Sequence, residues 1–78
     1  MFQAKVIMNN IADVTKFTKV ATQCMGNVMI ESENRYVVDG KSLLGILSLD
    51  LSKPVTVHVK TQEEIDTINT ELADLLVK

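Results

Sequence analysis

The chain has one cysteine, one histidine and one proline in 78 residues, and the first two scarcities each close off a class of chemistry. With Cys24 alone, no intrachain disulfide can form and no thiolate cage can enclose a metal, which suits a reducing compartment. His58 has no second His or Cys at ligand spacing, so neither a metal site nor a cofactor is expected. Eight Lys and Arg stand against ten Asp and Glu, for a net charge of −2, and they are scattered. A basic stripe that could neutralise phosphates is missing, which argues against a nucleic-acid partner. No apolar run approaches the roughly 20 residues needed to cross a bilayer, and MFQAKVIMNN lacks a basic segment followed by a long apolar one. The expectation is a soluble cytoplasmic protein without membrane insertion.

What is present describes one folded domain over residues 1–78. A hydrophobic content of 46% and a charged content of 23% are those of a globular chain with a single modest core. Phe2 to Met8 alternates loosely and reads as a strand. Asn10 can then cap a helix on which Ile11, Val14, Phe17, Ala21 and Cys24 recur at intervals of three and four, and which stops near Met25-Gly26. Asn27–Ser32 and Arg35–Val38 read as a hairpin across Glu33-Asn34, without the glycine of the strongest hairpin turns.

Asp39-Gly40 breaks the extended run, Gly40 being read as accepting angles that a Cβ resists, and Ser42 stands at a helix N-cap. The helix that follows, Leu43 to Leu51, holds too many apolar residues for one stripe. Leu43, Ile46 and Leu49, or a neighbouring phase, are read as core, with the rest near the surface. Pro54 ends it. Val55, Val57 and Val59 alternate with polar residues as a strand buried on one face. Thr61-Gln62-Glu63-Glu64 fits a capping box, and Ile65, Ile68, Leu72, Leu75 and Leu76 form the inward stripe of a last helix, with Lys78 suiting its far end. The order βαββαβα is an α+β domain with helices on one face of an antiparallel sheet. The element order alone is equally compatible with a ferredoxin-like strand order.

Candidate chemistry is sparse. Gly40-Lys41-Ser42 has the end of a phosphate-binding loop without its opening glycine, where Arg35 stands instead. Cys24 continues an inward stripe and has no base to ionise it. His58, the one alternative phosphoryl acceptor, faces away from the buried valines in mid-strand. Glu63, Glu64 and Asp66 are explained by capping and the helix dipole.

The run Val38-Asp39-Gly40-Lys41-Ser42-Leu43-Leu44-Gly45-Ile46-Leu47-Ser48-Leu49 resembles the HPr proteins, small phosphocarriers of the bacterial sugar phosphotransferase system. The likeness lies in Lys-Ser, two large apolar residues, Gly, two more apolar residues and Ser-Leu. It implies an open-faced β-sandwich, a four-stranded antiparallel sheet with three helices on one face and the first strand beside the fourth. It implies a regulatory phosphorylation at Ser42, as in many Gram-positive bacteria, and a partner-binding surface of Lys41, Leu43, Leu44 and Leu47.

The family places its phosphoryl-accepting His at the start of the first helix, followed closely by Arg and Pro. Met8 through Lys19 contain none of these. Asn10, the degenerate active-site position, has a delocalised amide lone pair that cannot accept a phosphoryl group, and Asp13 repels phosphate. The resemblance thus implies a non-enzymatic regulatory or binding module. Its partners would be phosphotransferase-system enzymes, a serine kinase or a transcriptional regulator. A working phosphocarrier using another acceptor, or an interaction domain sharing only the fold, are the alternatives.

Overall fold

The structure, a computed structural model of the chain, describes residues 1–77, so the reading of Lys78 lies outside the described residues. β1 (Phe2–Val6) ends sooner than its sequence run suggests, and Asn10 opens α1 (Ile11–Gln23), its side-chain oxygen accepting the Asp13 N–H at 2.9 Å. Val14, Phe17, Val20 and Ala21 are buried along α1, and Cys24 continues the face. Ile11, counted from its spacing as the first inward residue, stands 67% exposed instead. The first turn of α1 lies over an open cleft shared with Leu47 and Leu51 rather than over the sheet.

β2 (Met29–Glu31) and β3 (Val37–Asp39) form a hairpin shorter than its sequence runs. Ser32 N–H bonds the Tyr36 carbonyl and Arg35 N–H bonds the Ser32 carbonyl, both at 2.9 Å, which leaves Glu33, Asn34 and Arg35 as the link. Arg35, expected to open the strand, has a φ of 67°. Three-residue hairpin links need a left-handed residue here, usually glycine, so Arg35 carries local strain.

Gly40, by contrast, needs no unusual angle, because no glycine among the described residues has a positive φ. It is required for space. Its N–H reaches the Val28 carbonyl at 2.6 Å, and a Cβ would lie 2.7 Å from Val28 Cγ1 and 2.9 Å from that carbonyl oxygen. Gly40→Ala should cost about 1–3 kcal/mol by overpacking. The expected reading is a lower urea midpoint at unchanged slope. A wild-type midpoint would mean that this turn shifts freely.

α2 (Leu43–Leu47) is only five residues long and stops well before Leu51. Ser48 Oγ bonds the Gly45 carbonyl at 2.6 Å and Leu49 N–H bonds Ile46, which tightens the last turn. Asp50 Oδ1 then accepts both Ser52 N–H and Ser52 Oγ, offering the backbone a local turn in place of another helical one. β4 (Val55–Val59) follows, with its three valines buried.

α3 (Gln62–Glu71) opens on the expected Thr61–Glu64 cap, ends at Leu72 and gives way to a 3₁₀ turn, Ala73–Leu75, rather than running on to Leu76. Leu76 instead bridges Val6 on the outer side of β1, flanked by bonds from Ile7 N–H to the Leu75 carbonyl and from Val77 N–H to the Lys5 carbonyl.

The sheet has the order β1-β4-β2-β3 with every pairing antiparallel, so β1 lies beside β4 at an edge and the ferredoxin-like order is excluded. The registers place Phe2, Ala4, Val6, Ile30, Val38 and the three valines of β4 on the face that packs on the helices. Gln3, Lys5, Met29, Glu31, Val37, Asp39, Thr56 and His58 fall on the open face. Each large apolar side chain fully buried between the layers contributes on the order of 1.5–3 kcal/mol.

Glu64 ties the α1–β2 loop to α3. Its Oε1 accepts the Thr61 hydroxyl at 2.9 Å and its Oε2 accepts Gly26 N–H at 3.0 Å, although the residue is largely buried. The Thr61 hydroxyl, against the opposing effect of burial, holds this carboxyl below its usual range, with Gly26 and other backbone N–H groups helping. A carboxyl with a lowered folded pKa stabilises above the unfolded value and loses that contribution as pH falls through the folded one. Glu64→Gln should therefore flatten the decline in stability below about pH 5. Urea titrations across pH would show parallel curves for variant and wild type if the latch contributes nothing.

Candidate partner-binding site

The start of α1 and the short α2 meet at one end of the molecule. Met8, Asn9, Asn10 and Ile11 face Leu47, Leu51 and Ser52 across a cleft of about 390 Å³. Asn10 and Leu47, singled out separately from the sequence, thus line the same cleft.

The polar side of the cleft is capped by the chain itself. Asn10 Oδ1 accepts Asp13 N–H, and Asp13 Oδ2 accepts Asn9 N–H, both at 2.9 Å. The positive end of α1, which would attract an anion, holds a carboxylate of its own. Neither side chain offers a nitrogen nucleophile.

On α2, Ser42 is the N-cap, its Oγ accepting Gly45 N–H at 3.1 Å; such a cap contributes about 0.5–2 kcal/mol. The neighbouring Lys41 is half-buried, with its ammonium on the Cys24 carbonyl at 2.8 Å, where a cation suits the end of α1. Of the leucines, Leu44 is 81% exposed, while Leu43 and Leu47 are each 40% exposed. Ile46 alone on α2 is fully buried, and Leu49 beyond it is half-buried. Leu43, read from spacing as core, is therefore an edge residue, because a helix this short turns only one position fully inward.

The apolar surface gains Ile11, and the cleft gains Met8 and Leu51, none of which was assigned to the site from sequence. The available signal for Ile11 was its place directly after the N-cap, in a first turn that can project past the core.

The remaining candidates lie elsewhere. His58 is on the open sheet face with Nε2 3.0 Å from Glu31 Oε1, a partner that only the strand register could reveal. Cys24 is buried, and burial, with Glu64 adding and Lys41 opposing, pushes its thiol up and away from reactivity. Among the described residues no three His, Cys, Asp or Glu gather where a metal could sit, and no helix is long and apolar enough to cross a membrane.

The family model described as "PTS HPr component phosphorylation site" matches residues 12–77, starting just after Asn10. No curated protein sequence matches significantly. The chain is similar to HPr-C-His from Thermoanaerobacter tengcongensis, with 25% identity over 95% of this chain and 89% of that one, at a TM-score of 0.75. It also shares its fold with the phosphocarrier protein HPr from Bacillus anthracis str. Ames, at 20% identity, 95% coverage of both chains and a TM-score of 0.69. With the strand order, the Lys-Ser-Leu-Leu-Gly run and a family match over most of its length in agreement, the chain belongs to the HPr family of the phosphotransferase system.

Proposed function

We propose that this HPr-family chain does not carry phosphate on histidine and acts as a binding or regulatory module, engaging protein partners through the start of α1 and the exposed face of α2. The observation that carries this reading is the self-capped start of α1, where Asn10 and Asp13 bond each other's backbone neighbourhood and no His or Arg occurs between Met8 and Lys19. Exposed Leu44 on α2, together with Ile11 and Leu47 at the cleft, supplies the apolar contact, as exposed apolar residues do in interfaces.

Ser42 is the site at which a serine kinase would set the state of this surface. Its hydroxyl stands at a helix start, where an added phosphate meets backbone N–H groups while changing the charge beside Leu43 and Leu44. The partners are phosphotransferase-system enzymes or a transcriptional regulator, and the protein works in the cytoplasm.

The test is incubation with phosphoenolpyruvate and the general phosphotransferase enzyme, followed by mass spectrometry under conditions that preserve acid-labile phosphate. No mass gain is expected on the wild-type chain. Asn10→His with Ala12→Arg should restore a trace of transfer at most, since the Asp13 carboxylate opposes the incoming anion. Phosphohistidine at His58 would overturn the reading in favour of a working carrier.

A further inference from the structure

α2 has little with which to hold itself in place. At five residues it is too short to be stable alone, and Ile46 is its one fully buried side chain. The direction of its exposed leucines is therefore set by whatever fastens its ends. At the far end, Leu47 and Leu51 line the open cleft beside the start of α1. The near end is fastened twice. Gly40 N–H reaches the Val28 carbonyl at 2.6 Å, and Lys41, the residue before the N-cap, sends its ammonium to the Cys24 carbonyl at 2.8 Å.

Cys24 is the C-cap of α1, a helix with no basic residue in its last turn. The negative end of α1 is thus met by a cation from the start of α2, an arrangement that favours both the dipole and the carbonyl. Among the described residues the Lys41 ammonium forms no ion pair, so its attachment is to backbone rather than to another long side chain that could swing away with it. The point of attachment is itself held. Glu64 Oε2 accepts Gly26 N–H at 3.0 Å, which ties the loop after α1 to α3. Lys41 is half-buried, and a hydrogen bond from a charged donor is stronger than a neutral one where water competes less.

We infer that Lys41 is a positioning residue for the leucine-bearing face of α2: its ammonium, on the Cys24 carbonyl, fastens the start of α2 to the end of α1 and so fixes the face that partners meet. A direct contact with a partner would need that ammonium directed outward, whereas it is committed inward. The inference deepens the binding role proposed for α2 and rests on that reading for its effect on affinity, while its structural half is read on the free chain.

Lys41→Met keeps the stem and removes the ammonium; Lys41→Arg keeps the charge and the donors. Thermal melts establish that each variant is folded. In residual dipolar couplings of the free full-length chain, the amides of Leu44 to Leu47 should depart from the wild-type orientation in Lys41→Met, with β1 and β4 unchanged, and return toward it in Lys41→Arg. Loss of stability alone would not reorient one helix. Titration against the general phosphotransferase enzyme should show a dissociation constant raised at least about threefold for Lys41→Met and restored to within about twofold of wild type for Lys41→Arg. An α2 that keeps its orientation in Lys41→Met overturns the inference, and so does unchanged affinity in Lys41→Met where Leu44→Asp weakens binding. A wild type that does not bind the enzyme, or binds it equally well as Leu44→Asp, fails the binding reading itself, and the inference falls with it.

Discussion

Ile46→Asp is expected to abolish the folded state, whereas Leu44→Asp, on the same five-residue helix, should melt close to wild type. Ile46 has no solvent exposure and anchors α2 to the core, while Leu44 is 81% exposed. Replacing Ile46 removes about 1.5–3 kcal/mol of apolar burial. It also forces a carboxylate into a site with no partner, at a further cost of several kcal/mol. Together these approach the whole stability of a small domain, about 5–15 kcal/mol. Leu44 loses little on becoming Asp and gains slightly from an acidic group in the first turn of a helix. Its effect should appear in binding, as a loss of more than about 1 kcal/mol toward the proposed phosphotransferase-system partners. Paired melts and titrations check this. A collapsed melt for Leu44→Asp would show that the α2 surface is core and remove the apolar half of the proposed site.

Phe17→Ala should be the most damaging truncation. Phe17 is fully buried on α1, whereas Phe2 is half-buried and Tyr36 is largely exposed, so one ring supplies the aromatic part of the core. Truncating such a residue costs about 3–5 kcal/mol through lost transfer energy and the cavity left behind. Phe17→Leu should cost much less, because most of the volume is kept. Urea denaturation measures both. Equal losses for the two variants would mean that ring shape rather than volume is what the site requires.

The fold was legible wherever period and chemistry coincided. Val55, Val57 and Val59 alternate without interruption and are all buried; Thr61 and Glu64 meet as spacing implies; Asn10 and Ser42 cap the helices they precede. The misses occur where tertiary geometry overrides a local pattern. Ile11 has the spacing of an inward residue but lies past the end of the core, and Arg35 has the position of a strand residue but must close a turn. Gly40 is explained by the nearness of Val28, which no local pattern announces. At the candidate site, the absence of His near Asn10 could be read directly. Asp13 was recognised as a repelling charge, but its bond to the Asn9 backbone could not be, because helix-start spacing does not say which donor a carboxylate will take.

The pairing of Val6 with Leu76 bears on how the chain is made. β1 precedes both of its neighbours along the chain by a wide interval: β4 lies on one side and the 75–77 segment on the other. Until those arrive, β1 has no ladder and the apolar face of α1 has no finished sheet to cover it. Native structure therefore waits until residues 75–77 have been made, and until then the nascent chain must hold Phe17 and its neighbours unprotected, an interval in which exposed apolar surface invites aggregation.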